Sequence, residues 1–198
     1  MTEQDRTEGN RTGPPAGPAA LLTVGHGRLD GRALAALLHQ AGVGTLVDVR
    51  RFPGSRSNPE VGRDVLPGTL AEAGIGYRWE QRLGGRRSLP KAEDDQDPWW
   101  QVAAFRAYAA HTRTPMFTDA MAELLQEVAD AGADGDAVAV MCSESVWWRC
   151  HRRLVADVAV LGHGVPVRHL MHDGREVAHE PAEGARRSPD GLLFWDRL

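Results

Sequence analysis

At 198 residues with a formal net charge of −4, the chain can form one domain with a sizeable core, and its apolar and charged fractions are those of an ordinary globular protein. No apolar run approaches the ~20 residues of a membrane span, and the acidic balance argues against bulk electrostatic attraction to nucleic acid. The polar, Pro- and Gly-rich start reads as a disordered leader over 1–20 without a signal-peptide pattern. Only two cysteines occur, Cys142 and Cys150. Without an export signal they point to the cytoplasm and argue against a structural disulfide.

Leu21-Leu22-Thr23-Val24 reads as a first strand closing on Gly25-His26-Gly27. Asp30 offers a helix N-cap, with Leu34, Leu37, Leu38 and Ala41 at helical spacing, and Gly42 and Gly44 end that helix. Thr45–Val49 is a second strand, apolar enough to be buried on both faces, as in a parallel sheet. The loop Arg50–Pro59 follows, with two prolines and turn residues. A short helix is expected over Val65–Ala73 and a third strand over Ile75–Trp79. After Leu83-Gly84-Gly85-Arg86-Arg87, the polar segment Lys91–Pro98 reads as a mobile excursion.

Two helices should follow, Trp99–His111 and Pro115–Asp130, the second opened by Thr114 and Pro115. Ala137–Met141 is the fourth strand, and a helix with Leu154, Val155, Val158 and Leu161 starts near Arg149. Val165–Leu170 is the fifth strand, with Pro166 at a sheet edge or strand start. The alternation predicts a single three-layer α/β domain over 21–172, with a mostly parallel five-stranded sheet and helices on both faces. A tail over 173–198 should dock its apolar patch Leu192–Trp195 on the domain surface.

If the sheet is parallel, the strand ends open on one rim, where ligands bind in such folds. The residues expected there are His26, Asp48, Arg50, Glu80, Cys142, Glu144 and His169. The helix near Arg149 would aim its amino terminus at the same rim and place Cys150 in its first turn, favouring a thiolate. Arg50 and Arg56 carry guanidinium forks suited to phosphate or carboxylate oxygens. Each residue also has a structural reading. Cys142 can be a small buried hydrophobe, Asp48 a partner that fixes Arg50, Tyr108 a core residue, and the pairs Trp99-Trp100 and Trp147-Trp148 packing under loops. The glycines around His26 would let backbone approach a ligand, and Gly84-Gly85 is either a turn or another such approach. Eight arginines between Arg50 and Arg87 crowd against Glu60, Asp64, Glu72 and Glu80, forming either a cationic patch or a surface of ion pairs.

In order along the chain, Thr23–His26, Val47–Pro59, Leu83–Arg86, the helix of Tyr108, and Met141–Glu144 with Cys150–Arg152 resemble the bacterial and archaeal family called domain of unknown function 488. The resemblance runs from about Leu21 to His169. It implies a small cytoplasmic α/β domain and supplies no reaction. It places the family's recurring positions on His26, Asp48, Arg50, Pro53, Ser55, Arg56, Asn58, Gly84, Gly85, Tyr108, Cys142, Glu144, Cys150, His151 and Arg152. Two departures stand out. Gly27 replaces a frequent Ser after His26, and Val146-Trp147-Trp148 is bulkier than usual and would alter the pocket mouth.

The leading expectation is an enzyme acting on a phosphorylated or nucleic-acid-derived substrate. Its catalytic set would be Cys150, His151, Cys142, Glu144, His26 and Asp48. Its anion-binding set would be Arg50, Ser55, Arg56, Asn58, Gly84, Gly85, Tyr108 and Arg152. No metal or cofactor is assigned. One alternative is a zinc or iron site on Cys142, Cys150 and His151, completed by His26 or Glu144, although the spacing fits no finger motif. Another is a non-enzymatic nucleic-acid module, with arginines on phosphates and tryptophans on bases. A cysteine phosphatase loop is excluded, because no Arg stands at Cys-x5-Arg spacing. A dinucleotide fold lacks its G-x-G-x-x-G. The expected partner is an anionic small molecule or nucleic-acid fragment, with no membrane; the oligomeric state is not legible.

Overall fold

The computed structural model describes residues 19–54, 58–89 and 96–197, and its centre is a six-stranded sheet whose strands lie, edge to edge, in the order Gly76–Trp79, Val43–Asp48, Ala137–Cys142, Leu21–Gly25, Val167–Leu170 and Glu176–Ala178. The chain runs β1 (Leu21–Gly25), α1 (Gly31–Gln40), β2 (Val43–Asp48), α2 (Leu66–Glu72), β3 (Gly76–Trp79), α3 (Ala103–Thr112), α4 (Pro115–Asp134), β4 (Ala137–Cys142), α5 (Arg152–Asp157), β5 (Val167–Leu170) and β6 (Glu176–Ala178). A separate hairpin joins β7 (Ala185–Arg187) to β8 (Leu193–Trp195). The α/β class and mostly parallel sheet agree with the sequence reading, but the count of five strands is corrected to six. The added strand, β6, pairs antiparallel with β5. Its three residues are all exposed, so it carries no apolar run that a sequence pattern could detect.

Side-chain alternation builds the three layers. Leu22, Val24, Leu46, Ala139 and Met141 pack with Leu34, Leu38, Leu66 and Leu70 of α1 and α2. Leu21, Val47, Val138 and Val140 face the other way, onto Tyr108, Phe117, Met121, Leu124 and Leu154 of α3, α4 and α5. Asp30 caps α1 by accepting from Ala33 N at 2.8 Å. Gly135, at φ 84°, ends α4 four residues beyond the expected stop.

Three boundary expectations need correction. Helix α3 starts at Ala103 because Trp99 N–H donates to Trp195 O and Trp100 N–H to Asp97 O, holding that stretch in turns. Cys150 is extended (φ −137°, ψ 155°), between a single 3-10 turn (Trp147–Arg149) and α5, rather than inside a first helical turn. The patch near the C-terminus does more than cover the surface: Leu193 and Trp195 are core residues. The Trp195 indole donates to Asp157 at 2.7 Å. Of the expected excursion, 90–95 lie outside the described residues, while Asp97 is buried against Arg113 and Trp195 N. Residues 1–18 of the expected leader also lie outside the description. Among the described residues no helix is long and apolar enough to cross a membrane.

Candidate active site

The register places Gly25 beside Cys142 and Asp48 beside Met141, so the carboxyl ends of β1, β4 and β2 stand side by side. From neighbouring β1 and β4 the chain leaves toward opposite faces, to α1 and to α5, which opens a crevice at the strand ends. A cleft of about 240 Å³ lies there, walled by Arg50–Phe52, Gly85-Arg86, Ala104, Phe105, Tyr108, Cys142–Glu144 and Arg149–His151.

At its base the two free thiols touch, Cys142 Sγ to Cys150 Sγ at 2.7 Å. Cys150 Sγ also accepts the Arg152 N–H at 3.4 Å and lies 3.6 Å from His151 Nδ1. His151 Nε2 faces Val49 O at 3.2 Å. A carbonyl only accepts, so Nε2 carries the proton and Nδ1 turns its lone pair or second proton to the sulfur. Burial opposes ionisation of Cys150, but the Cys142 hydrogen bond, His151 and Arg152 outweigh it and hold this thiol well below its ordinary range. Burial and then the Cys150 partner hold Cys142 well above it. Ionisation within the pair is therefore biased toward Cys150 and away from Cys142.

The polar wall separates into fixed and free charges. Asp48 Oδ1 accepts Arg50 N at 3.0 Å and Nε at 2.8 Å, and Oδ2 accepts Arg50 Nη2 at 2.5 Å and the Tyr77 hydroxyl at 2.7 Å. Arg50 Nη2 also donates to Val61 O at 2.8 Å. The alternative role for Asp48, fixing Arg50, is the one the geometry supports. His26 gives Nδ1–H to Gly27 O at 3.1 Å, and its Nε2 lies 3.4 Å from Arg50 Nη1. Burial and Arg50 lower its pKa to about 4. His26 is thus neutral, engaged at both nitrogens, and outside the cleft wall.

Several other expected site residues are structural. The Tyr108 hydroxyl donates to Leu83 O at 2.6 Å, while its ring, 5.0 Å from that of His151, forms part of the wall. Asn58 donates to Leu29 O at 2.7 Å and pins the loop. Arg152 turns inward, donating to Glu144 O at 2.6 Å, with Nε buried and unpartnered. It contributes charge from behind the cysteines instead of a fork in the cleft. The glycines admit the protein's own groups. A Cβ on Gly25 would meet Glu144 O at 1.7 Å, one on Gly84 the Arg51 backbone at 2.9 Å, and one on Gly85 His151 Nδ1 at 2.8 Å. Ser55 and Arg56 lie outside the described residues.

The expected cationic patch divides in two. Arg78 and Arg82 pair with Glu80, Glu123 and Glu127, and Arg87 donates to the carbonyls of Gln81, Arg82 and Gly84. Arg51, Arg86 and Arg149 remain at the cleft. Arg86 and Arg149 are exposed, and among the described residues neither has a carboxylate partner. Sequence reasoning left all three out of the site. The signal was their position directly after Arg50, Gly85 and Trp148, but only the fold tells which arginines lack a glutamate. Arg86, at φ 55°, is also the one non-glycine with positive φ among the described residues. Trp147 turns away from the cleft and stacks on His169 at 4.1 Å and 9°, so its bulk does not alter the pocket mouth. His169 belongs to a buried chain: Thr23 Oγ1 to His169 Nδ1 at 2.7 Å, His169 Nε2 to His179 Nδ1 at 3.0 Å, His179 Nε2 to Asp157 Oδ1 at 2.7 Å.

Among the described residues no group of three or more His, Cys, Asp or Glu side chains is arranged to hold a metal ion. Of the donors named for one, Cys142, Cys150 and His151 Nδ1 lie together, with the two sulfurs in direct contact, and His26 sits apart behind Arg50.

The family described as Domain of unknown function DUF488 matches residues 31–159. No curated protein and no solved structure matches the chain.

Proposed function

Because the chain belongs to the domain of unknown function 488 family, whose description carries no reaction, we propose from the geometry of its site that it is a small enzyme using the Cys150 thiolate on an anionic, phosphorylated or nucleic-acid-derived substrate. The observation that carries this reading is the setting of Cys150 Sγ, 3.4 Å from the Arg152 N–H and 3.6 Å from His151 Nδ1, at the base of a cleft whose mouth holds Arg86 and Arg149, neither with a carboxylate partner among the described residues.

Arg149 and Arg86 would receive the anion, with Arg51 beside them, in water-exposed positions that favour fast exchange. Arg50 adds charge from the wall, partly neutralised by Asp48. The substrate's electrophilic atom then lies over Cys150. His151 holds at Nδ1 the proton that Cys150 has given up and delivers it to the leaving group. Glu144, exposed and lining the cleft, sets a negative edge that orients the anion toward the arginines. Free thiols in contact call for a reducing compartment such as the cytoplasm.

Haloacetates test the reading. Iodoacetate carries the charge that the cleft should attract, whereas iodoacetamide is neutral. The ratio of their second-order rates at Cys150 should exceed the ratio for a free peptide thiol roughly tenfold, about 1.4 kcal/mol of anion attraction. Inorganic pyrophosphate should protect Cys150 from both reagents. A ratio equal to that of the peptide, without protection, removes the proposal.

A further inference from the structure

The base of the cleft holds a second sulfur that nucleophilic catalysis by Cys150 does not use. Cys142 ends β4, and Cys150 reaches it across the loop Ser143–Arg149. The two Sγ atoms lie 2.7 Å apart and both thiols line the cleft. Their surroundings are unequal. Cys150 Sγ faces a backbone N–H and an imidazole nitrogen. Cys142 is buried at the strand end, with the Glu144 N–H at 3.3 Å and the Glu144 carbonyl at 3.8 Å. A sulfur that lines the cleft and is polarised as a nucleophile, with a second, more deeply buried sulfur in contact behind it, is the arrangement that thiol–disulfide exchange requires. The cleft volume of about 240 Å³ admits a small molecule and no folded protein. Arg86 and Arg149, without a carboxylate partner among the described residues, select negative charge, and Phe52 and Phe105 give the cleft an apolar side.

We propose that Cys150 and Cys142 form a dithiol–disulfide couple whose oxidant is a small anionic disulfide. This rests on the thiolate and anion site described above and gives that site a second substrate class beside the phosphorylated or nucleic-acid-derived one. In the first step Cys150 S⁻ attacks one sulfur of R–S–S–R. The Cys150–S–R bond forms, the R–S bond to the other half breaks, and R–S⁻ leaves with the electron pair. In the second step Cys142 gives up its proton and attacks Cys150 Sγ. The Cys142–Cys150 bond forms, and the second R–S⁻ leaves and takes that proton. The protein loses two electrons and the substrate gains them, becoming two thiols. The sulfurs already touch, so resolution by Cys142 competes with escape of the mixed disulfide.

Oxidised glutathione, an anionic disulfide, and cystamine, a cationic one, are the probes, added to the reduced full-length chain and followed by intact mass after acid quenching. With oxidised glutathione the wild type should lose two hydrogens and release both thiols, and dithiothreitol should reverse the change. Its rate relative to cystamine should exceed that ratio for a peptide thiol by tenfold or more. Cys142→Ser and Cys142→Ala should stop at one glutathione adduct on Cys150, and Cys150→Ser should stay unmodified. A wild-type protein that stops at the mixed disulfide overturns the couple. So does a Cys142→Ala protein with native circular dichroism that forms no adduct. A cystamine preference overturns the anionic substrate. Rapid haloacetate labelling of Cys150 without any internal disulfide leaves the thiolate site standing and removes only this inference, whereas slow labelling removes both.

Discussion

Gly85 and His151 fit together so closely that a methyl group on the glycine would stand 2.8 Å from the ring's Nδ1. Gly85 has no positive φ, so alanine suits its backbone and the conflict is with the imidazole alone. Gly85→Ala should push Nδ1 away from Cys150 with little change in melting temperature. Alkylation of Cys150 at neutral pH should slow about tenfold, the effect of roughly one pKa unit. Rates by mass spectrometry beside a thermal melt check it; unchanged alkylation would mean that His151 does not activate the thiol.

The pH profile of that alkylation follows from the site's electrostatics. The Cys142 hydrogen bond, His151 and Arg152 overcome burial and lower the Cys150 pKa. The rate should therefore inflect well below the ~8.5 of an ordinary thiol. His151→Ala removes one of these causes and should move the inflection upward. An inflection at the ordinary value in the wild type contradicts the thiolate.

Arg50 and Asp48 form a buried pair, with side chains 4% and 0% exposed. Asp48→Asn leaves the guanidinium charge without its counterion and should cost about 3–5 kcal/mol. Adding Arg50→Met to that variant should recover part of the loss, because the stranded charge is then gone. Urea unfolding midpoints at constant m-value measure both.

Acid should weaken the fold through histidines. Burial, aided by nearby cations, lowers His26 and His111 to about 4, and burial with His179 lowers His169 to about 3. Above the ordinary histidine value of 6.5, folded and unfolded forms are both neutral at these sites and stability is full. Below it the unfolded chain takes up protons that the folded one refuses. Stability then falls as pH drops from 6.5 toward the folded values, by up to about 1.4 kcal/mol per pH unit for each histidine. Thermal melts between pH 7 and pH 4.5 should show it. The slope should become shallower in His111→Asn.

Trp195 fastens the C-terminal hairpin. It is fully buried, and its indole N–H meets Asp157 Oδ2 at 2.7 Å. Trp195→Ala should cost about 3–5 kcal/mol. Trp195→Phe keeps most of the packing and removes one donor to a buried carboxylate, so it should cost about 1–3 kcal/mol. If Trp195→Ala unfolds at the wild-type urea concentration, the hairpin is dispensable.

Local patterns carried much of the fold. The apolar runs of β1, β2 and β4 were legible because strands covered on both faces must be apolar throughout. Asp30, Thr114 and Pro115 marked helix starts because capping is a matter of adjacent residues. Gly25 read as a close approach to a ligand and Gly84-Gly85 as either that or a turn, whereas the groups that approach them are the protein's own. β6 escaped because its exposed residues have no core-facing period. The burial of Trp195 escaped because its partner Asp157 is 38 residues away.

By itself the sequence determined the α/β class, the family, and a cysteine–histidine–arginine cluster following the strands, since each depends on short-range order along the chain. Only the tertiary structure decided that Cys142 and Cys150 touch, that His151 rather than His26 faces the thiol, and that Arg51, Arg86 and Arg149 rather than Arg152 line the cleft. Those outcomes depend on which charges find partners across the fold: Asp48 claims Arg50, the Glu144 carbonyl claims Arg152, and glutamates on α4 claim Arg78 and Arg82. Spacing along the chain does not encode such pairings, and Arg86 and Arg149, left without a carboxylate partner among the described residues, stand at the mouth of the site.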